Sequence, residues 1–280
     1  MNILMKYLLL PLFSVLVFTS ISFAQNSKTI SDSDWCLERN RTSYNGSKEK
    51  HCEVREIRLD SRRSLSVDGK KNGGISIKSW DRDEILITAK ISVYTRNEDE
   101  AIEIVNDVTI KTNSVIEADV PKLGRREAVS VDYRIYVPKQ IDLDLVAFNG
   151  GISIRNVEGD IDFETLNGGL RLSSLSGKVT GETTNGGIKV ELSGSEWVGE
   201  KLDVETTNGG IVFYIPEDYN AQLETGTVNG SMDFDFPVTI SGRFNKELSV
   251  SLGDGGNLVR VMTTNGGIKI KRASEKLSMN

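Results

Sequence analysis

The sequence predicts an all-β protein, a single-stranded parallel β-solenoid (β-helix) with one short helix in its amino-terminal half. The first observation is a motif, Asn-Gly-Gly followed by an apolar-any-apolar triplet, that recurs along the chain. The second is that apolar and polar residues alternate around each copy, as in half-buried strands. Such short strands bury their apolar face only when successive copies stack in register, which favours a solenoid.

The overall composition excludes several classes of function. The chain has 280 residues, 40 of them acidic and 34 basic, with a formal net charge of −6 at pH 7. This balance argues against non-specific nucleic-acid binding, which depends on a basic surface. Two cysteines and a single histidine exclude zinc sites built from Cys and His alone. No cofactor is predicted.

Residues 1–24 have the layout of a secretory signal peptide. Lys6 precedes an apolar run over residues 7–18, and Ser22 and Ala24 are small residues at the −3 and −1 positions of a cleavage site. The apolar run is short for a membrane span, and an uncleaved anchor is the alternative. We expect an exported protein, periplasmic, cell-surface or secreted, without a membrane span in the mature chain.

The polar segment 25–52 contains both cysteines, Cys36 and Cys52, which lie sixteen residues apart. In an oxidising compartment we expect these cysteines to form a disulfide that pins the amino-terminal edge of the fold. The alternative is a metal or nucleophile site at His51 and Cys52, which would need further ligands or a base oriented by a third group.

Residues 53–148 are predicted to be an irregular β region in which the solenoid begins. Asn72 starts a first copy of the motif, 77 residues ahead of the next copy at Asn149. Asn97 precedes three acidic residues, which is typical of a helix amino terminus, and Ile102 and Val105, with Ile104 as a further candidate, would form the apolar face of that short helix. No Pro/Ser/Gly-rich linker marks a domain boundary near residue 148.

Residues 149–270 are predicted to be the regular repeat solenoid, and residues 271–280 a polar tail. From Asn149 onward, the copies are separated by 18, 18, 23, 21 and 36 residues. Antiparallel hairpins are the competing interpretation of an Asn-Gly dipeptide, but they do not explain the recurring offset. We expect the Asn-Gly-Gly corners to supply positive-φ conformations.

The corner residues are also predicted to form ladders from rung to rung, because buried polar groups need hydrogen-bond partners. The predicted ladder residues are Asn72, Asn149, Asn167, Asn185, Asn208, Asn229 and Asn265, with Thr165, Thr183, Thr206, Thr227 and Thr263 two positions before the asparagine. In the Asn229 copy, Ser231 replaces the second glycine, which suggests a corner with a different turn.

The segments around Asp34-Trp35-Cys36, His51-Cys52-Glu53 and Asn72-Gly73-Gly74, together with the Thr-Thr-Asn-Gly-Gly copies, resemble the secreted bacterial putative-adhesin β-strand-repeat family. The likeness covers nearly the whole mature chain. It implies a β-solenoid without an established activity, and it provides no catalytic residues.

A candidate binding surface follows from the alternation of apolar and polar positions. Where apolar residues point inward, the intervening acids point outward and stack about every 4.8 Å. Aromatic residues in the longer coils would suit stacking on sugars or a protein partner, or would pack over the sheet edge. The candidate surface consists of Asp162, Glu164, Glu182, Asp203, Glu205, Glu224, Trp197, Tyr214 and Tyr219; a solvated edge without a ligand is the alternative.

These features favour an exported, non-catalytic adhesin or binding scaffold at the cell envelope, with a glycan or an envelope or surface protein as its partner. One alternative is a carbohydrate-active enzyme that uses a carboxylate pair such as Asp203 and Glu205. Another is an envelope accessory protein that partners a membrane regulator. The sequence provides no nucleophile elbow, Walker loop or His-Glu-x-x-His motif.

Overall fold

A computed structural model describes residues 27–30, 34–37, 49–235 and 246–273; the predicted signal peptide and residues 274–280 of the predicted tail lie outside these ranges. The helices of the described residues are α1 (Asp34–Leu37) and α2 (Glu98–Asp107). The strands are β1 (Ser27–Ile30), β2 (Glu49–Asp60), β3 (Ser64–Asp68), β4 (Ile75–Trp80), β5 (Glu84–Tyr94), β6 (Thr109–Lys111), β7 (Val115–Asp119), β8 (Ala128–Pro138), β9 (Asp142–Ala147), β10 (Ile152–Arg155), β11 (Glu158–Thr165), β12 (Leu170–Ser173), β13 (Ser176–Asn185), β14 (Ile188–Glu191), β15 (Lys201–Asn208), β16 (Ile211–Ile215), β17 (Ala221–Asn229), β18 (Met232–Phe234), β19 (Glu247–Leu252), β20 (Leu258–Asn265) and β21 (Ile268–Arg272).

The strands form two sheets that are joined at the Asn-Gly-Gly corners. Sheet I has the order β1-β2-β5-β8-β4-β10-β12-β14-β16-β21-β18, and sheet II has the order β19-β17-β20-β15-β13-β11-β9-β3-β7-β6. We call one strand of sheet II, its corner and the following strand of sheet I a rung. The rungs are β3/β4, β9/β10, β11/β12, β13/β14, β15/β16, β20/β21 and β17/β18, and neighbouring rungs pair in parallel.

The all-β class is confirmed, but a single-stranded parallel solenoid is not, because both sheets are mixed. The antiparallel pairs are β1–β2, β2–β5, β5–β8, β6–β7 and β17–β19, and they lie at or near the ends of the stack. The described residues also contain a second helix, the four-residue α1, that the sequence did not predict. The insertion between β4 and β9, residues 81–141, accounts for most of the 77 residues that separate the first two motif copies.

The order of the rungs differs from the order of the sequence at one place. Strands β20 and β21, the last along the chain, lie between β15/β16 and β17/β18 in both sheets. The corner of Asn265 is therefore in contact with the corners of Asn208 and Asn229. Successive copies stack in register up to Asn208, but the final copy is inserted into the stack.

The prediction that the Asn-Gly-Gly corners supply positive φ angles is wrong. The residues with positive φ are Lys70, Asn156 and Ser174 together with glycines outside the motif. The first glycine of the motif is needed because adjacent rungs approach closely: a Cβ at Gly168 would lie 2.1 Å from the Gly150 carbonyl oxygen, and a Cβ at Gly186 would lie 2.0 Å from that of Gly168. At these distances a Cβ overlaps the neighbouring backbone.

The apolar core lies between the two sheets, where the inward residues of the strands alternate with polar outward ones. Ile154, Ile161 and Phe213 are examples of side chains buried in this core. Helix α2 covers one end of it and begins at Asn97, whose side chain accepts a hydrogen bond from the backbone N–H of Glu100, as predicted for the cap. Its buried residues are Ala101, Ile104 and Val105, whereas Ile102 is 39% exposed and does not belong to the apolar face.

The predicted disulfide between Cys36 and Cys52 is confirmed. It joins α1 to the outer part of sheet I, and the neighbouring Trp35 is buried against that sheet. The alternative of a metal or nucleophile site at Cys52 does not apply, because its sulfur is bonded to Cys36. Among the described residues, neither helix has the length and apolarity that crossing a membrane would require.

Candidate functional site

The corner asparagines form a continuous hydrogen-bonded ladder along the exposed edge of the stack. Apart from Asn72, which only accepts within the ladder, each asparagine donates from its Nδ2 to the Oδ1 of the asparagine on the adjacent rung, at distances of 2.8 to 3.2 Å. The order of the ladder is Asn72, Asn149, Asn167, Asn185, Asn208, Asn265 and Asn229. Because each interior amide is both donor and acceptor, the ladder fixes the register of the rungs.

The threonines two positions before the asparagines are buried and bond to backbone. Each hydroxyl donates to the carbonyl of the first glycine on the adjacent rung at 2.8 Å, as in the contact of Thr183 with Gly168. The members of this column are Thr165, Thr183, Thr206, Thr227 and Thr263, and all are 3% exposed or less. These contacts connect the rungs, but the threonines do not bond to one another as a ladder would require.

The outward face of sheet II gathers the predicted acidic residues. Parallel pairing places Asp162, Thr180 and Asp203 in one column, and Glu164, Glu182 and Glu205 in the next. Glu224 shares the first column, but the inserted β20 separates it from Asp203. The predicted acids therefore lie on one face, and Arg260 interrupts their column. The described residues contain no group of three or more His, Cys, Asp or Glu residues that could hold a metal ion.

Arg260 is the main electrostatic partner within this acidic face. Its guanidinium donates to Asp203 at 2.6 Å and to Glu205 at 3.5 Å, and Lys201 lies 3.3 Å from Asp203. Partial burial acts to raise the pKa of Asp203, but the hydrogen bond and charge of Arg260 outweigh it and hold that pKa below its usual value. A glycosidase general acid needs a raised pKa, so Asp203 is unsuited to that role.

The three aromatic residues of the candidate surface lie apart from the acids. Trp197 is 3% exposed and donates its indole N–H to the carbonyl of Gly177 at 3.1 Å. Tyr219 is also 3% exposed, and burial raises the pKa of its hydroxyl. Tyr214 lies on the outward face of sheet I, where the ammonium of Lys189 is 4.8 Å from its ring centroid. Trp197 and Tyr219 pack against the fold, and neither offers an exposed ring for stacking on a ligand.

The outward faces of the two sheets carry opposite charge. On the rung strands of sheet I, the outward ionic residues are Lys78, Arg155, Arg171, Lys189, Lys269 and Lys271, against Glu191 and Asp233. On the rung strands of sheet II the basic residues are Lys178, Lys201 and Arg260, while the acids include Asp68, Asp142, Asp144, Asp160, Asp162, Glu164, Glu182, Asp203, Glu205 and Glu224. Such a separation creates a field across the thickness of the stack.

A concave region of about 430 Å³ lies on the basic face, near the amino-terminal end of the stack. Its wall contains Trp35, Lys90 and Arg134, and the opposite side is formed by Arg171. The sequence did not predict this site, because β5 and β8 carry no copy of the motif. The residues of β5 and β8 do not indicate which other strands these two strands pair with.

Comparison with known proteins places the chain in a family. The model of the Toastrack DUF4097 domain, a domain of unknown function, matches residues 19–271. The chain belongs to the Toastrack DUF4097 family. No curated protein matches this Toastrack chain.

Solved structures similar to the Toastrack chain are distant in sequence. A putative cell adhesion protein from Clostridium sporogenes has 10% identity and a TM-score of 0.39, covering 89% of this chain and 100% of that protein. A putative adhesin from Bacteroides fragilis has 11% identity and a TM-score of 0.42, covering 79% of this chain and 97% of that one. A putative lipid binding protein from Parabacteroides distasonis has 11% identity and a TM-score of 0.26, covering 84% and 100%.

Proposed function

We propose that this chain is an exported, non-catalytic binding protein of the cell envelope, an adhesin or scaffold whose stacked sheets present fixed polar faces to a glycan or a surface protein. The observation that carries the proposal is the asparagine ladder, which locks the rungs in register. Outward side chains on such rungs are held at fixed spacings of about 4.8 Å before any partner arrives. A preorganised surface loses less conformational entropy on binding than a mobile one.

Two features support export. Residues 1–24 have the layout of a secretory leader. The disulfide between Cys36 and Cys52 is of the kind that persists in oxidising compartments and is rare in the cytosol. We expect the exported protein to begin at Gln25 and to contain no free thiol. Intact-mass analysis and thiol titration of protein recovered from the envelope or medium test both points, and an intact leader or two free thiols would contradict them.

The proposed binding role is tested by screening the mature protein on glycan arrays and against solubilised envelope proteins. Matched variants neutralise one face at a time: Glu164→Gln with Glu182→Gln on sheet II, and Arg171→Gln with Lys189→Gln on sheet I. These positions lie on the outward sides of strands, so the core is unchanged. We expect a partner whose capture is lost in one pair and retained in the other.

The same samples distinguish binding from catalysis. Release of reducing ends from a polysaccharide panel by the native protein, abolished in Glu205→Gln, would replace the proposal with a carbohydrate-active enzyme. Failure to capture any glycan or envelope protein would also overturn it.

A further inference from the structure

The concave region on the basic face is a trough that follows from the parallel register of four strands. Arg134, Ser76, Ser153 and Arg171 are neighbours in one outward row across β8, β4, β10 and β12. Three strand spacings of about 4.8 Å place the two arginines roughly 14 Å apart at their backbones. Ser76 and Ser153 lie between the two arginines and have short side chains. The surface is therefore concave at these two positions, which longer side chains would fill.

Backbone, rather than side chains, forms much of the floor of this trough. Gly74, Gly151 and Gly169 line it next to the serine row, and they are the second glycines of three successive corners. Without Cβ atoms, the floor leaves peptide groups close to any occupant. Serine hydroxyls donate and accept hydrogen bonds, as sugar hydroxyls require.

One wall of the trough is organised around Trp35. The guanidinium of Arg134 lies 3.9 Å from the Trp35 ring centroid, and the ammonium of Lys90 lies 5.1 Å from it. Cations over an indole face are attracted by the ring, and the contact limits their motion. Lys90 also lies 3.8 Å from Asp132, whose other oxygen accepts a hydrogen bond from the Gly74 N–H at 2.8 Å. Asp132, the only carboxylate among the described residues that line the trough, is therefore engaged by neighbouring groups.

The opposite wall is the cation Arg171, which has no acidic partner among the described residues. Its side chain is exposed, and no described carboxylate lies within 4 Å of its guanidinium. The guanidinium of Arg171 and that of Arg134, which Trp35 holds in place, form a favourable site for an anion. A guanidinium binds carboxylate and phosphate oxygens through two parallel hydrogen bonds. The volume of about 430 Å³ lies in the range of small-ligand sites.

We propose that this trough binds an anionic saccharide, with Arg134 and Arg171 holding its acidic groups and Ser76 and Ser153 contacting its hydroxyls. The inference rests on the proposed binding function and names its ligand class. The disulfide also acquires a role here, because Cys36 anchors the adjacent Trp35 and thereby the Arg134 wall.

The test is titration of the mature, disulfide-bonded protein with trigalacturonate, with maltotriose as the neutral saccharide and inorganic phosphate as the simple anion. Calorimetry gives Kd, and the indole N–H signals in NMR report position. We expect trigalacturonate to bind and to shift the Trp35 signal while leaving that of the buried Trp197 in place. Maltotriose and inorganic phosphate should each bind at least tenfold more weakly.

Matched variants separate the trough from a diffuse electrostatic effect. Arg171→Gln removes one wall without touching Trp35, whereas Lys269→Gln removes the same charge from the same outward row at a distant rung. We expect at least a tenfold loss of affinity in Arg171→Gln and less than a twofold change in Lys269→Gln, with the circular dichroism of both variants unchanged. The double variant Arg134→Gln, Arg171→Gln should bind no trigalacturonate.

The contrary results are equally specific. Equal losses in Arg171→Gln and Lys269→Gln would show a diffuse charge effect and overturn the trough. Phosphate binding as tightly as trigalacturonate would overturn its assignment to a saccharide. If no probe binds while the arrays still capture a partner, the proposed saccharide site is overturned and the proposed binding function is retained. If the arrays also capture nothing, both proposals are overturned.

Discussion

The two glycines of one corner provide a controlled test of how the rungs are packed. A Cβ at Gly266 would lie 2.0 Å from the carbonyl oxygen of Gly209 and 2.5 Å from its carbonyl carbon. A Cβ at the adjacent Gly267 would lie 3.6 Å from its nearest neighbour, the carbonyl oxygen of Ser231, which is an ordinary contact. Neither glycine has a positive φ, so alanine is compatible with both local backbones. Gly266→Ala and Gly267→Ala therefore differ only in the space available to one methyl group.

The expected magnitude follows from the contacts at this corner. To accommodate the methyl group, Gly266 must move by about 1.4 Å to reach ordinary contact with Gly209. This movement disrupts the hydrogen bond from Asn265 Nδ2 to Asn208 Oδ1 at 2.8 Å and the bond from the Gly209 N–H to the Asn265 carbonyl at 3.0 Å. Two lost hydrogen bonds cost about 2 kcal/mol, and overpacking adds roughly 1–3 kcal/mol. We expect Gly266→Ala to lower the free energy of unfolding by about 3–5 kcal/mol.

Gly267→Ala should be neutral or should stabilise the protein by up to about 1 kcal/mol, because alanine reduces the entropy of the unfolded chain. The assay is urea denaturation, followed by far-ultraviolet circular dichroism and by tryptophan fluorescence. Coincident transitions from the two probes justify a two-state analysis. Stabilities of the two variants that agree within about 1 kcal/mol would refute the argument that close approach of the rungs, rather than backbone conformation, requires the first glycine.

Three further predictions concern the ladder, the acidic face and the disulfide. Asn185→Ala removes two ladder bonds and Asn229→Ala removes one, so urea denaturation should show destabilisation of about 2 kcal/mol and about 1 kcal/mol respectively. Equal losses would contradict the inference that each ladder bond contributes to stability. The pKa of Asp203 is lower in the folded protein than in the unfolded chain, where it is about 4. The ionised carboxylate therefore stabilises the fold above that pH, and this stabilisation is lost as the pH falls. The difference in thermal stability between the native protein and Arg260→Gln should therefore become smaller as the pH is lowered from 6 to 2. A difference that stays constant would exclude the ion pair between Asp203 and Arg260 as its source. Replacing both Cys36 and Cys52 by serine should lower the free energy of unfolding by roughly 3 kcal/mol and shift the Trp35 fluorescence. An unchanged spectrum would contradict the inference that the disulfide holds Trp35 in the wall of the trough.

The repeat was sufficient to predict the asparagine ladder, but not the backbone conformation of the corners or the partners of the threonines. Each Asn-Gly-Gly copy places an asparagine at the same height in its rung, so period and residue type together predicted the ladder that joins Asn167 to Asn185. The helix was predictable for a similar local reason, since the Asn97 cap and the acids after it act within one turn. The disulfide needed only two cysteines and the compartment suggested by the leader.

Features that depend on pairing between distant strands could not be predicted in this way. Strands β5 and β8 alternate apolar and polar residues like any other strand, and alternation specifies a buried face but not a neighbour. The antiparallel end of sheet I and the trough beside Arg134 both depend on these two strands. The sequence leaves open whether Trp197, which lies in a longer coil, is exposed or packs over the sheet edge. Burial of its large ring and its hydrogen bond to Gly177 place it in the fold.

The insertion of the last rung has two physical reasons that can be found in the sequence once the stack is known. At the interior corners, a Cβ on the second glycine would lie 3.2, 3.1 or 3.3 Å from the next rung at Gly169, Gly187 and Gly210. Ser231 carries such a Cβ, and it lies on the rung beyond which the described residues place no further corner. The serine is therefore tolerated at the end of the stack, while the complete Asn-Gly-Gly motif at Asn265 fits inside it.

The second reason is electrostatic and comes from the outward column of sheet II. In sequence order, Asp203 would lie directly beside Glu224, and like charges facing each other across strands are unfavourable. Insertion of β20 places Arg260 between them instead, where its guanidinium bonds to Asp203 at 2.6 Å. A corner that disfavours Ser231 in the interior and a column in which Arg260 pairs with Asp203 thus favour the same arrangement of rungs.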